Sequence, residues 1–141
     1  MPADSKGPPS PFRVLIAEDE IAIAMDLEAN LRDAGFDVVG PAATATDLAS
    51  LASTERLDGA IVDFGLLGPD PQAALAPLVA GNVAMLIMTG YDQSDGRLAA
   101  VDAERMTKPA HMPDVVERLH RLIVQRRSKS GAWDLGEETA F

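Results

Sequence analysis

The chain alternates short apolar runs with longer stretches in which apolar residues recur every three or four positions. The first short run is Arg13-Val14-Leu15-Ile16-Ala17. Runs of that length, bounded by polar or turn residues, read as buried parallel strands. From about Glu20 to Ala34, residues Ile23, Ala24, Leu27, Leu31 and Ala34 keep helical spacing, with Gly35 as the C-cap. Asp37 to Gly40 predicts a second strand. Thr44 and Asp47 resemble a capping box opening a helix that carries Leu48, Leu51 and Ala52. Ala60-Ile61-Val62 predicts a third strand that stops at Asp63 and enters a Gly/Pro loop. Asp70-Pro71 caps and starts a third helix, with Leu75, Leu78 and Val79 facing in. Pro77 inside it is expected to kink it or shorten its first turns. Val83 to Met88 is the most continuous apolar run and predicts a fully buried fourth strand, ending at Thr89-Gly90-Tyr91-Asp92.

The next segment, Ser94 to Val101, has only Leu98 and Val101 as clear anchors and Gly96 inside, so its helix should be short and locally unstable. Arg105-Met106-Thr107 predicts a fifth strand ending at Lys108-Pro109. A last helix starts near Pro113, with Val115, Val116, Leu119, Leu122 and Ile123 on one face. Five strands alternating with five helices predict an α/β fold with a doubly wound, five-stranded parallel sheet. Residues 1–11 read as a disordered Pro-rich leader and residues 12–127 as the domain. Residues 128–141 read as a C-terminal tail, flexible or docking, that carries Trp133, Leu135 and Phe141.

Composition narrows the function. A chain of 141 residues suits one domain with its own core, and aromatics at 4% make that core aliphatic, Ala and Met. No cysteine is present, which excludes disulfide, thiolate-metal and thiol-nucleophile chemistry. A net charge of -10 argues against nucleic acid, whose phosphates would be repelled. No apolar run approaches a membrane span, and the leader lacks the apolar core of a signal peptide. The expectation is a soluble cytoplasmic protein with no membrane partner.

The chemistry lies at the strand ends, where ligands of open α/β sheets bind. The first strand delivers Glu18 and Asp19, the third Asp63, the fourth Thr89 and the fifth Lys108. Taken singly, each has an ordinary explanation. Asp is common at turns, Glu20 suits the positive end of a helix, and an isolated lysine is usually a solvated surface group. Four of the five strand ends carrying these types are harder to explain that way. Adjacent carboxylates repel one another unless a cation offsets the charge. Two or three of them suit Mg²⁺, which prefers oxygen ligands and keeps several waters. Asp63 can then act as a nucleophile towards a phosphoryl group. Lys108 can neutralise charge on that group, and the Thr89 hydroxyl can donate to one of its oxygens.

Glu18-Asp19, Asp63, Thr89 and Lys108-Pro109 resemble the defining set of the receiver domain of two-component response regulators, over roughly residues 12 to 127. The resemblance implies a flavodoxin-like (βα)5 receiver fold with Asp63 as phosphoacceptor, charged by a histidine kinase or histidine phosphotransferase. It implies Mg²⁺ held by Glu18, Asp19, Asp63 and the Gly65 backbone carbonyl, with Thr89 and Lys108 on the phosphoryl group. It also implies a cis peptide before Pro109. Such a domain is not an enzyme beyond its own phosphorylation and dephosphorylation. Phosphorylation would change binding to a downstream protein, or to a second copy, on the side of the fourth helix, fifth strand and last helix. Most receivers carry an aromatic three places before the lysine, where this chain has Arg105, and Ala110 replaces a common Phe. Thr89-Gly90-Tyr91 instead resembles the stand-alone FAT GUY receivers, though Ile87-Met88 stand where that motif has Phe-Ala. Gly90 and Tyr91 are then the switch loop, and Gly40-Pro41-Ala42-Ala43 also fits that subgroup.

Other classes share parts of this pattern. A flavodoxin-like electron carrier would open its first strand into a Ser/Thr/Gly phosphate loop, where Glu18-Asp19-Glu20 would repel the flavin phosphate. A haloacid-dehalogenase-type phosphatase wants a second Asp two places after the nucleophile, where Gly65 stands. A phosphate sink, or a scaffold receiver working without phosphorylation, remains as the alternative.

Overall fold

The computed structural model describes residues 11–90, 98 and 100–130. Most of the leader, Tyr91, most of the weak fourth helix and residues 131–141 lie outside them. The strands are β1 (Arg13–Ala17), β2 (Asp37–Ala42), β3 (Gly59–Asp63), β4 (Ala84–Thr89) and β5 (Glu104–Thr107). The helices are α1 (Ile21–Asp33), α2 (Ala45–Thr54), α3 (Pro71–Ala80) and α4 (Met112–Ser130), with a 3-10 turn at Phe64–Leu67. Among the described residues, five strands run parallel in one sheet of order β2-β1-β3-β4-β5.

Strand alternation divides the core in two. Leu15, Ala17, Ala60, Val62, Met85 and Ile87 point to one face, where Leu48 of α2 and Leu75 and Leu78 of α3 cover them. Val14, Ile16, Ile61, Leu86 and Met88 point to the other, under Leu27 and Leu31 of α1 and Val115, Leu119 and Ile123 of α4. The last three are fully buried, and each contributes about 2 kcal/mol to docking α4. Leu98, one of the two anchors expected in the weak segment, is also buried in the first cluster, and Val101 packs against it.

Local signals act where expected. Thr44 Oγ1 accepts from Asp47 N–H, and Asp70 Oδ1 accepts from Ala73 N–H with Pro71 in the first turn of α3. The C-cap of α1 is Ala34 and not Gly35, which follows it at φ +95, where the chain leaves the helix. Both the Gly40–Pro41 and Lys108–Pro109 peptides are cis. Pro77 lies within α3, and Val79, expected to face inward, is 52% exposed. The buried stripe of α3 runs through Pro71, Leu75 and Leu78, which leaves Val79 at its margin in the last turn.

Candidate functional site

The carboxyl ends of β1, β3, β4 and β5 meet on one edge of the sheet. Glu18 follows β1 directly, and its own N–H donates to the Ala42 carbonyl at 2.9 Å. Its Oε2 accepts from Glu20 N–H at 3.1 Å, so the side chain is tied to the start of α1. Asp19 is exposed beside it. Asp63 is the last residue of β3, and an oxygen from each of Glu18, Asp19 and Asp63 lies within 4.8 Å of the others. Glu20, the N-cap of α1, makes no side-chain capping bond; its carboxylate lies 3.9 Å from Lys108 Nζ.

Lys108 leaves β5 with its N–H donating to the Thr89 carbonyl at 2.8 Å. Its Nζ donates to Asp63 Oδ1 at 3.0 Å and to Glu18 Oε1 at 3.2 Å. Three carboxylates thus face one ammonium. Burial pushes the Glu18 carboxyl above its ordinary range, and the Asp63 charge adds to this; the Glu20 N–H and Lys108 pull the other way without cancelling it. For Lys108, burial works downward, but hydrogen bonds to Asp63 and Glu18 and the charges of both carboxylates outweigh it and leave the ammonium raised. The cluster carries more negative charge than its protein partners neutralise. A compact oxygen donor set of this charge fits a hard divalent cation.

Thr89 is buried at the end of β4, where its Oγ1 donates to the Met106 carbonyl at 3.4 Å, a long contact that a χ1 rotation would release. Gly65 lies in the 3-10 turn immediately after Asp63, and Gly90 follows Thr89. Arg105 is exposed on β5. Beside Glu18 and Lys108 opens a cleft of about 530 Å³ walled by Ile23, Leu27, Met88, Pro109 and Met112. Two contributors were not singled out in the sequence. Glu20 reads there only as a helix start, and Ala42 acts through its backbone, which composition cannot signal.

No family model matches the chain. The transcriptional regulatory protein PdtaR of Mycobacterium tuberculosis is 31% identical over 121 residues, covering 83% of this chain and 59% of PdtaR. The signal receiver domain of a modulated diguanylate cyclase from Desulfovibrio desulfuricans G20 superposes with a TM-score of 0.75 at 26% identity, covering 85% of this chain and 99% of that one. The chain carries a response-regulator receiver domain. This places it in two-component signalling, and it spans under two thirds of the length of PdtaR. The receiver domain of sensor histidine kinase PA1611 from Pseudomonas aeruginosa PAO1 shares the fold at TM-score 0.69 and 22% identity, covering 81% of this chain and 98% of that one. That receiver holds a magnesium ion coordinated in its active site cleft. Among the described residues, no helix is long and apolar enough to cross a membrane.

Proposed function

We propose that Asp63 is a phosphoacceptor, charged in the presence of Mg²⁺ by a histidine kinase or histidine phosphotransferase. The observation that carries this is the placement of Asp63 at the end of β3, with Lys108 Nζ at 3.0 Å and the Glu18 and Asp19 carboxylates alongside. A carboxylate oxygen of Asp63 attacks phosphorus, the bond from phosphorus to the donor atom breaks with its electron pair leaving on the donor, and an acyl phosphate forms. Glu18, Asp19, Asp63 and the Gly65 carbonyl would hold Mg²⁺, which supplies positive charge to the transferring oxygens. Lys108 stays protonated and would stabilise the same charge, while Thr89 turns from Met106 to donate to a phosphoryl oxygen. The chemistry of this domain is the transfer to its own Asp63 and the return of the carboxylate when water hydrolyses the acyl phosphate and releases inorganic phosphate.

The exposed Ile21 and Met25, one turn apart on α1, suit the apolar surface of the donor protein. Output is a change in protein binding around β5 and α4, to a target or to a second copy. Beryllofluoride or acetyl phosphate, each with and without Mg²⁺, tests the reading by mass and by titration. Modification at Asp63 only when Mg²⁺ is present supports it. Absence of any modification, or one that ignores Mg²⁺, overturns it and leaves a scaffold that works without phosphate.

A further inference from the structure

Strand β2 reaches the site along an irregular path. Its ladder with β1 pairs Leu15 with Val39 and then Ala17 with Ala42, so β2 holds one residue more than β1 over that stretch. Gly40 occupies this bulge at φ +96. A Cβ built on it would lie 2.9 Å from the Ile16 carbonyl oxygen and 2.9 Å from Ala42 N. Both are backbone atoms and cannot swing aside as a side chain can. Immediately beyond the bulge, the Ala42 carbonyl accepts the Glu18 N–H at 2.9 Å. Glu18 is therefore held at its backbone by β2 and at its carboxylate by Glu20 N–H and Lys108 Nζ.

We propose that Gly40 is a positioning residue for the acidic cluster: the bulge it permits fixes the Ala42 carbonyl, which fixes Glu18 against Asp63 and so sets the affinity for Mg²⁺. This deepens the phosphoacceptor reading and rests on it. Mg²⁺ demands near-octahedral geometry with oxygens at roughly 2.0–2.1 Å, so small displacements of a ligand, or of a carboxylate holding a retained water, lower its affinity. An alanine at position 40 has to push β2 from β1 at the point where Glu18 is tied.

Gly35 supplies the control. It also has positive φ, at +95, but a Cβ there meets nothing within 4 Å, and it lies at the far end of the sheet. Gly35→Ala therefore introduces the same backbone strain without the close approach. The experiment is calorimetric Mg²⁺ titration of the full chain, of Gly40→Ala and Gly35→Ala, and of Gly40→Ala combined with Glu18→Gln. We expect Gly40→Ala to lose at least fivefold in Mg²⁺ affinity and Gly35→Ala to stay within twofold of the parent. In the Glu18→Gln background, the Gly40→Ala effect should shrink below twofold. Equal loss in both glycine variants, equal loss with and without Glu18, or no loss in Gly40→Ala overturns the proposal. An unsubstituted chain that does not bind Mg²⁺ overturns the phosphoacceptor reading itself, a separate result. Should Gly40→Ala not fold, Pro41→Ala frees the fixed φ at an exposed position. A twofold or greater loss of Mg²⁺ affinity there supports the proposal, and an unchanged affinity overturns it.

Discussion

Strand β3 has an aspartate at each end, and the two are surrounded in opposite ways. Asp58, immediately before Gly59, accepts from the Arg13 backbone N–H at 2.8 Å and faces the guanidinium groups of Arg56 and Arg127. Arg127 also lies over the Phe12 ring at 5.2 Å, which ties the end of α4 to the start of β1. Asp63, at the other end of the strand, meets two further carboxylates and a single lysine. Both side chains are largely buried, at 5% and 12% exposure, so burial alone does not separate them. The charge ratio does. Where donors exceed the carboxylate's needs, the group is a fixed structural joint; where carboxylates exceed donors, the balance is left for something from solution to complete.

The sharpest way to break this contrast is to remove each aspartate in turn. Asp63→Ala should abolish Mg²⁺-dependent phosphorylation, read by intact mass after acetyl phosphate. Its stability should change by no more than about 1 kcal/mol, because relief of repulsion from Glu18 and Asp19 offsets the lost Lys108 contact. A phosphorylated Asp63→Ala protein would remove the assignment.

Asp58→Ala should do the reverse. It leaves the Arg13 N–H without its acceptor and two guanidinium groups without their carboxylate. The arginines are partly exposed, so the cost stays below that of a fully buried pair, at about 2 kcal/mol. For a domain of this size that lowers Tm by roughly 6 °C, while phosphorylation of the folded variant continues. Urea unfolding with and without beryllofluoride measures both halves. A variant that keeps its stability would show that the arginines make no net use of Asp58.

Asp19→Asn tests whether the excess of negative charge matters by itself. Asp19 is exposed and contributes little to stability, so unfolding should be unchanged within about 0.5 kcal/mol. Mg²⁺ affinity should fall about tenfold, because hard-cation binding follows ligand charge. An unaltered Mg²⁺ titration would place the cation elsewhere.

The two ends also differ in how far the sequence exposes them. The strand-end set of Glu18, Asp19, Asp63, Thr89 and Lys108 is legible because it depends on residue type and on the ends of apolar runs, and both survive without coordinates. The five strands are legible for the same reason. The Asp58 joint is not, because it gathers Arg13, Arg56 and Arg127, whose proximity follows from the docking of α4. The Gly40 bulge was visible only as a Gly-Pro pair that ended the predicted strand, whereas β2 continues through it to Ala42. Val79 illustrates the limit of helical spacing near a helix end, where the inward stripe loses its cover.

The smallest effect concerns Glu18, which shares burial with Asp58 but not its donors. Its folded value is raised above the ordinary 4.5, chiefly by burial, so the fold favours the neutral acid. The contribution of that group is present below 4.5 and is lost as pH rises through the raised value. Lys108, raised above 10.5, keeps its contribution through neutral pH and loses it only as pH climbs through its own folded value. In Mg²⁺-free buffer, Glu18→Gln should therefore gain on the parent chain as pH rises from below 4.5 towards neutrality, since the amide never ionises. Added Mg²⁺ should reverse the order at neutral pH, because the parent then holds a cation with one more ligand charge. Urea unfolding of both chains across that range reads the difference directly. A gap that stays flat with pH would mean that the ionised Glu18 is as well served by its surroundings as Asp58 is, and the contrast between the two ends of β3 would then rest on Asp19 and Asp63 alone.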